Sequence, residues 1–167
     1  RRSNECINKS TGRRVSCLIV MHTFGHPSNI EDLSSLANRY GIKLIEDSAE
    51  AIGSFYKGKH LGTFGEFGIL SFNGNKTITT GQGGAVLTSD KDCADRIRHL
   101  ASTAKIQHPW NFKHDAIGFN YRLANINAAL GCAQIRKLPV FIQKKRELYL
   151  KYKNVFSQVD YLKLFEE

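Results

Sequence analysis

Val15-Ser16-Cys17-Leu18-Ile19-Val20-Met21 is a short apolar run, and Lys43-Leu44-Ile45-Glu46-Asp47 is a second, with a helical pattern between them. The first run has the character of a strand buried on both faces. It ends in His22-Thr23-Phe24-Gly25-His26-Pro27, a loop of turn residues. Ser28 or Asn29 then caps a helix, with Glu31 three residues after Ser28 as a capping box requires. Leu33, Leu36, Ala37 and Tyr40 recur at helical spacing, and Gly41 stops the helix. Strand, helix and strand within about 30 residues form a βαβ unit, whose strands run parallel and whose crossover is right-handed.

Gly68-Ile69-Leu70-Ser71-Phe72 reads as a third strand and Gly84-Ala85-Val86-Leu87-Thr88 as a fourth. Ser89 or Asp90 caps a helix running through Leu100, and residues 101–117 form a long loop containing Pro109 and Trp110. Arg122 to Leu138 has helical periodicity, Pro139 breaks it, and a basic amphipathic helix continues to about Phe156. The expected class is α/β: a mostly parallel sheet with flanking helices. Such sheets bind ligands beyond the carboxyl ends of their strands. Asp47 falls at one such end, and Lys76 follows another closely.

With 167 residues, 41% of them hydrophobic, the chain fits one domain with a real core. It opens on Arg1-Arg2-Ser3-Asn4 without an initiator Met, and the polar stretch through Arg14 lacks strand or helix periodicity. No apolar signal-peptide core or membrane-spanning run is present, so the expected compartment is the cytoplasm. Cys6, Cys17, Cys93 and Cys132 are scattered without a Cys-x-x-Cys pair and read as lone buried thiols. The histidines (His22, His26, His60, His99, His108, His114) include no His-x-x-x-His pair, and no metal is assigned. The net charge of +9 is spread along the chain, densest at Lys144-Lys145-Arg146 and from Lys151 to Lys153. A solvated helix face accounts for it; attraction of a phosphorylated or acidic substrate is the weaker reading. No nucleic-acid-binding motif accompanies the charge.

Chemistry concentrates between Asp47 and Gly84. Taken singly, each element has a plain explanation. Lys76, in Ser71-Phe72-Asn73-Gly74-Asn75-Lys76, could be a solvated loop lysine. Lys76-Thr77 is no Walker loop, because Asn75 and Leu70 stand where that pattern needs glycines. Asp47 could be a capping carboxylate, with Glu46 on the opposite face of the pleat. Gly81-Gln82-Gly83-Gly84 suits a tight turn as well as a close approach to a ligand. Ser71 could bond its own backbone. Together they match one chemistry: an amine to form an imine, a carboxylate to keep a pyridine nitrogen protonated, and a hydroxyl with backbone N–H groups to hold a phosphate. That is the equipment of a pyridoxal-phosphate (PLP) enzyme.

The order of motifs resembles one family. Ile45-Glu46-Asp47-Ser48-Ala49-Glu50-Ala51, Gly62-Thr63-Phe64-Gly65-Glu66-Phe67-Gly68, Ser71-Phe72-Asn73-Gly74-Asn75-Lys76 and Thr79-Thr80-Gly81-Gln82-Gly83-Gly84-Ala85 resemble successive signatures of the DegT/StrS-type sugar aminotransferases. Gly118-Phe119-Asn120-Tyr121-Arg122 with Asn127-Ala128-Ala129-Leu130-Gly131 resembles a further one. The likeness runs from about Val15 to Leu138. Ser71 to Thr77 and Thr103-Ala104-Lys105 resemble the branch acting in legionaminic-acid-like and bacillosamine-like sugar pathways.

The resemblance implies part of the large domain of an aspartate-aminotransferase-like (fold type I) PLP enzyme. By similarity Lys76 carries the cofactor and shuttles a proton, Asp47 pairs with the pyridine nitrogen, and Ser71 bonds the phosphate. Glu50 stands where many members carry Gln or His near the ring hydroxyl. As a carboxylate it would repel that oxygen unless protonated or turned toward a basic group. Asn73 takes a position often held by His. Asn120 would reach the phosphate in a neighbouring subunit, implying a homodimer, and Arg122 supports that loop or meets substrate. A dehydratase branch has His in place of the lysine, so Lys76 favours transamination from glutamate to the ketone of a nucleotide-linked deoxysugar for surface-polysaccharide assembly.

Family members are substantially longer, so the chain reads as a central piece: residues 1–138 a partial PLP-binding domain, 139–167 a helical connection toward a smaller domain. The piece alone is expected to fold poorly and to have little activity. The alternatives are a same-family dehydratase, an inactive fragment that binds through its dimer surface, and a basic nucleic-acid-binding module.

Overall fold

Strand β1 (Cys17–Met21) pairs in parallel with β2 (Lys43–Asp47), and α1 (Ile30–Arg39) makes the crossover between them, in a computed structural model that describes residues 6–165. A two-stranded hairpin follows, β3 (Phe55–Tyr56) with β4 (Lys59–His60). Then come β5 (Phe67–Ser71), β6 (Gly84–Leu87), α2 (Lys91–Ala101) and α3 (Asn125–Phe156). The main sheet has the order β1-β2-β5-β6. Its first two pairings are parallel and the last, β5 with β6, is antiparallel.

The register puts Met21, Asp47 and Ile69 side by side, with Val86 beyond them. Because side chains alternate along a strand, the sheet divides into two unlike faces. Leu18, Val20, Leu44, Leu70, Ala85 and Leu87 point one way. On that side Val20 and Leu44 pack with Ile30 and Ala37 of α1, while Leu70 joins Ile52 and Ile78 beneath Leu138 and Phe141 of α3. On the other face Ile19 is 64% exposed, Met21 59% and Val86 44%. The expectation of a first strand buried on both sides is therefore corrected. It is an edge strand, and among the described residues only one of its faces has a helix packed over it.

Three local expectations also change. The cysteines are not buried: Cys17 and Cys132 are exposed, and Cys6 and Cys93 partly so. Ser28 does not form a capping box. Asn29 occupies the cap position, its side chain donates to Asp32 (2.6 Å), and the Ser28 amide is taken by His22 Nδ1 at 3.2 Å. Pro139 does not break the last helix. α3 begins at Asn125 and runs through Pro139 to Phe156, because a proline costs one main-chain bond, to the carbonyl four residues back. Leu138 and Phe141, packed on the core on either side of it, hold the turns together.

The stop at Gly41 stands. Gly41 has φ +62, its N–H donates to Asn38 O and the Ile42 N–H to Ala37 O, the paired closing bonds of a Schellman motif. Among the described residues, no helix is long and apolar enough to cross a membrane.

Candidate functional site

The exits of three parallel strands converge. After β1, Phe24 adopts φ 54 and ψ 22, a left-handed conformation uncommon for a bulky residue. Its N–H donates to Glu50 Oε2 at 2.8 Å. After β2, Asp47 turns the chain by accepting the Ala49 N–H at Oδ1 (3.1 Å), an Asx-type turn. The Ser48 N–H reaches Ile69 O and the Ala51 N–H reaches Ser48 O, both at 3.0 Å, which brings Glu50 over the strand ends.

After β5, the Phe72 N–H bonds Gly83 O (2.9 Å) and the Thr80 N–H bonds Phe72 O (3.0 Å). These two bonds close the loop that carries Lys76. Inside it the Asn73 side chain accepts the Gly74 N–H at 2.8 Å, and the Lys76 N–H donates to Asn73 O at 3.1 Å. Lys76 is not a solvated loop lysine. Its side chain is only 16% exposed, and Nζ lies 3.4 Å from Glu50 Oε1.

Glu50 is thus turned toward a basic group, the condition under which a carboxylate is compatible with that position. The Phe24 N–H, then the Lys76 amine, hold its carboxyl below the ordinary glutamate range. A folded pKa below the unfolded one stabilises the fold at pH values above the unfolded value, about 4.3. That stabilisation disappears as pH falls through the lower folded value. The difference in thermal midpoint between wild type and Glu50→Gln, in the full-length protein, is expected to shrink as pH is lowered from 7 to 3. A constant difference across that range would show that the carboxylate is not held in this way.

Asp47 and Ser71 share a face of the sheet. Asp47 is paired with Ile69, and Ser71 lies two residues further along the same strand. Ser71 Oγ accepts the Asn73 N–H at 3.4 Å. Asp47 Oδ2 has no partner among the described residues.

Glu46 points to the opposite face, where sequence reading left it without a role. It is fully buried, with Oε2 facing His22 Nε2 (3.0 Å) and the Gly62 N–H (2.7 Å). Its Oε1 accepts from Phe64 (2.6 Å) and Gly65 (2.7 Å). Since His22 Nδ1 accepts from Ser28, Nε2 carries the proton and donates to the carboxylate. Burial pushes the Glu46 carboxyl up, but His22 and the three amides outweigh it and hold it below the ordinary range. The segment it grips needs its glycines. A Cβ on Gly65 would meet Leu44 O, and one on Gly68 would meet Gly62 O, all main-chain atoms.

Asn120 lies elsewhere. It is exposed and bridges Ser102, on a loop tied by Thr103 N–H to Phe119 O (2.9 Å) and Tyr121 N–H to Ala101 O (3.0 Å). Gly118 presses on the Thr103-Ala104 main chain, where both residues have positive φ (65 and 52). No hydrogen bond links Asn120 to Lys76 among the described residues. Arg122 lines a cleft with Gly81, Gln82, Gly83 and Gly84, and Asn127 Nδ2 donates to Thr80 O at 2.6 Å.

A family model described as the DegT/DnrJ/EryC1/StrS aminotransferase family matches residues 3–166. The chain is similar to GDP-perosamine synthase of Escherichia coli O157:H7, 44% identical over 154 residues, which cover 92% of this chain and 42% of that protein. It is also similar to EpsN of Bacillus subtilis (strain 168), 40% identical over 159 residues, covering 95% and 41%. Among solved structures, the aminotransferase TlmJ from Streptoalloteichus hindustanus superimposes with a TM-score of 0.84 at 34% identity, over 91% of this chain and 41% of that one. The chain spans about two fifths of the length of the curated relatives it matches. Motif order, a carboxylate-held lysine at the strand exits and the family match agree: the chain belongs to the DegT/DnrJ/EryC1/StrS aminotransferase family.

Proposed function

We propose that this chain is the central part of a PLP-dependent enzyme that transfers an amino group from glutamate to the keto group of a nucleotide-linked deoxysugar. The observation that carries the reading is the half-buried Lys76 side chain, its amine held by Glu50 at the exits of β1, β2 and β5. The name of the similar GDP-perosamine synthase supports a nucleotide-linked sugar as substrate.

The residues fit the cofactor. Asp47 keeps one carboxylate oxygen without a partner on the sheet face it shares with Ser71. Ser71 Oγ accepts from Asn73, which leaves its own proton for an anionic oxygen. When bound, PLP supplies an aldehyde for the amino group and an electron-withdrawing ring. Asp47 would hold the ring nitrogen protonated, Ser71 would donate to the phosphate, and Lys76 would carry the cofactor and move a proton as acid and base. Glu50 would orient Lys76 beside the ring hydroxyl.

Residues 1–138 form the cofactor-binding part in this reading, and 139–167 lead toward a smaller domain. The working form is a cytoplasmic homodimer with Asn120 reaching the neighbouring site. Exposed Trp110, Phe112, Ile117, Tyr121 and Ile126 surround that loop in sequence, and such apolar exposure suits a subunit interface. The test is to reduce the full-length, PLP-treated protein with borohydride and map the adduct by mass. A label on Lys76, with nitrogen moving from glutamate to the keto sugar, is the expected result. A label elsewhere, or loss of water from the sugar without amino transfer, would overturn the reading.

A further inference from the structure

The fully buried pair of His22 and Glu46 makes no contact with Lys76, yet one loop joins the two. The Ser28 N–H donates to His22 Nδ1 at 3.2 Å and so closes residues 22–28 onto the ring. The other ring nitrogen donates to Glu46, itself gripped by the amides of Gly62, Phe64 and Gly65. These two bonds fix both the tautomer and the orientation of the ring. Inside the loop the chain makes a single turn, closed by the Gly25 N–H on His22 O (3.1 Å) and the His26 N–H on Thr23 O (3.0 Å).

The tip of this loop meets Glu50 twice. The Phe24 N–H donates to Oε2 at 2.8 Å, and Gly25, at φ +82, lies so close that a Cβ there would come within 2.8 Å of Glu50 O. Phe24 keeps its left-handed φ of 54 while its ring is 82% exposed. Burial of its own side chain does not hold that conformation, so the bonds on either side of it must. Glu50 Oε1 in turn meets Lys76 Nζ at 3.4 Å. We propose that His22 is a positioning residue for amino transfer: by closing the loop on Ser28 it sets the Phe24 N–H against Glu50, and through Glu50 the Lys76 amine. The assignment rests on the reading of Lys76 given above and concerns placement alone.

Two amide substitutions in the full-length, PLP-loaded protein separate the two bonds of the ring. In His22→Asn the side-chain oxygen can stand in for Nδ1 and accept the Ser28 N–H, but Glu46 loses its ring donor. In His22→Gln the longer side chain can donate to Glu46, but the Ser28 N–H loses its acceptor. His22→Asn is expected to melt lower than His22→Gln, because it disturbs the buried charge. Turnover is expected to run the other way. His22→Gln should lower kcat by about tenfold or more with the KM for glutamate little changed, since a misplacement of about 1 Å can cost on the order of 10²-fold. His22→Asn should lose less. A purely structural role predicts kcat in the same order as melting temperature. That order, or a loss below about tenfold in His22→Gln, would overturn the proposal.

Hydrogen exchange in the cofactor-free protein, read by mass spectrometry at single-residue resolution, needs no turnover. In the wild type the Phe24 amide is expected to be protected despite its exposed ring. Its exchange should quicken about tenfold or more in His22→Gln and stay nearer wild type in His22→Asn. An unprotected Phe24 amide in the wild type would overturn the proposal even if neither variant folds. The borohydride label on Lys76 is read separately: its absence would sink the aminotransferase reading, whereas these loop measurements can fail while the label stands.

Discussion

Lys76→Ala in the full-length protein is expected to abolish amino transfer while leaving the protein folded. General acid–base action alone contributes about 10²–10⁴-fold to rates, and this lysine would also be the residue that carries the cofactor, so loss beyond that range is the expected result. Folding should survive because the lysine spans no core cluster; its bond is to Glu50, which retains the Phe24 N–H. Steady-state turnover from glutamate to a keto-sugar nucleotide measures the first claim, and thermal melting measures the second. Turnover within tenfold of wild type would remove Lys76 from its assigned role. Lys76→Arg is expected to be equally inactive, because a guanidinium stays protonated and cannot form the covalent link.

The second large effect is on stability. Glu46→Ala is expected to cost about 3–5 kcal/mol, the usual consequence of removing one partner of a buried, hydrogen-bonded charge. Four donors lose their acceptor at once: the His22 ring and the amides of Gly62, Phe64 and Gly65. Each unsatisfied buried donor carries its own desolvation cost. Glu46→Gln keeps one oxygen but presents an amide NH₂ to N–H donors, so it should fall between wild type and alanine. Denaturant melts of the full-length protein report both values. A loss under about 1 kcal/mol for Glu46→Ala, the range of an ordinary hydrogen bond, would mean that the loops do not depend on this carboxylate. The effect also has a pH sign. Because the folded carboxyl is held below its ordinary range, its contribution is complete above the unfolded pKa and fades as pH falls through the folded one.

Local rules carried much of the fold. The β2 boundaries, the stop at Gly41 and the Asp90 cap of α2, where the carboxylate accepts the Cys93 N–H at 3.0 Å, follow from periodicity and capping chemistry that a few adjacent residues express. The β3–β4 hairpin is legible in the same local terms. Lys57 and Gly58 both have positive φ, the requirement of a two-residue hairpin turn, and Gly58 between short aromatic and basic pairs was its signal.

What sequence could not supply was action at a distance. Pro139 reads as a breaker because its helix-disrupting effect is local, whereas the packing of Leu138 and Phe141 that offsets it is not. The exposure of β1 depends on which face has a helix over it, and an apolar run is the same string either way. For the proposed site, Lys76, Asp47, Glu50 and Ser71 were named from motif order, and the structure brings Lys76 to Glu50. His22 and Glu46 were missed because a buried carboxylate gripping amides at residues 62–65 leaves no periodic trace.

Ile19, Met21 and Val86 present hydrocarbon to water from one side of the sheet. A cell making only these 167 residues would therefore be handling a sticky surface, and self-association would compete with refolding at every encounter. Yield in the pellet, rather than any loss of chemistry, is the first property by which such a piece would make itself known.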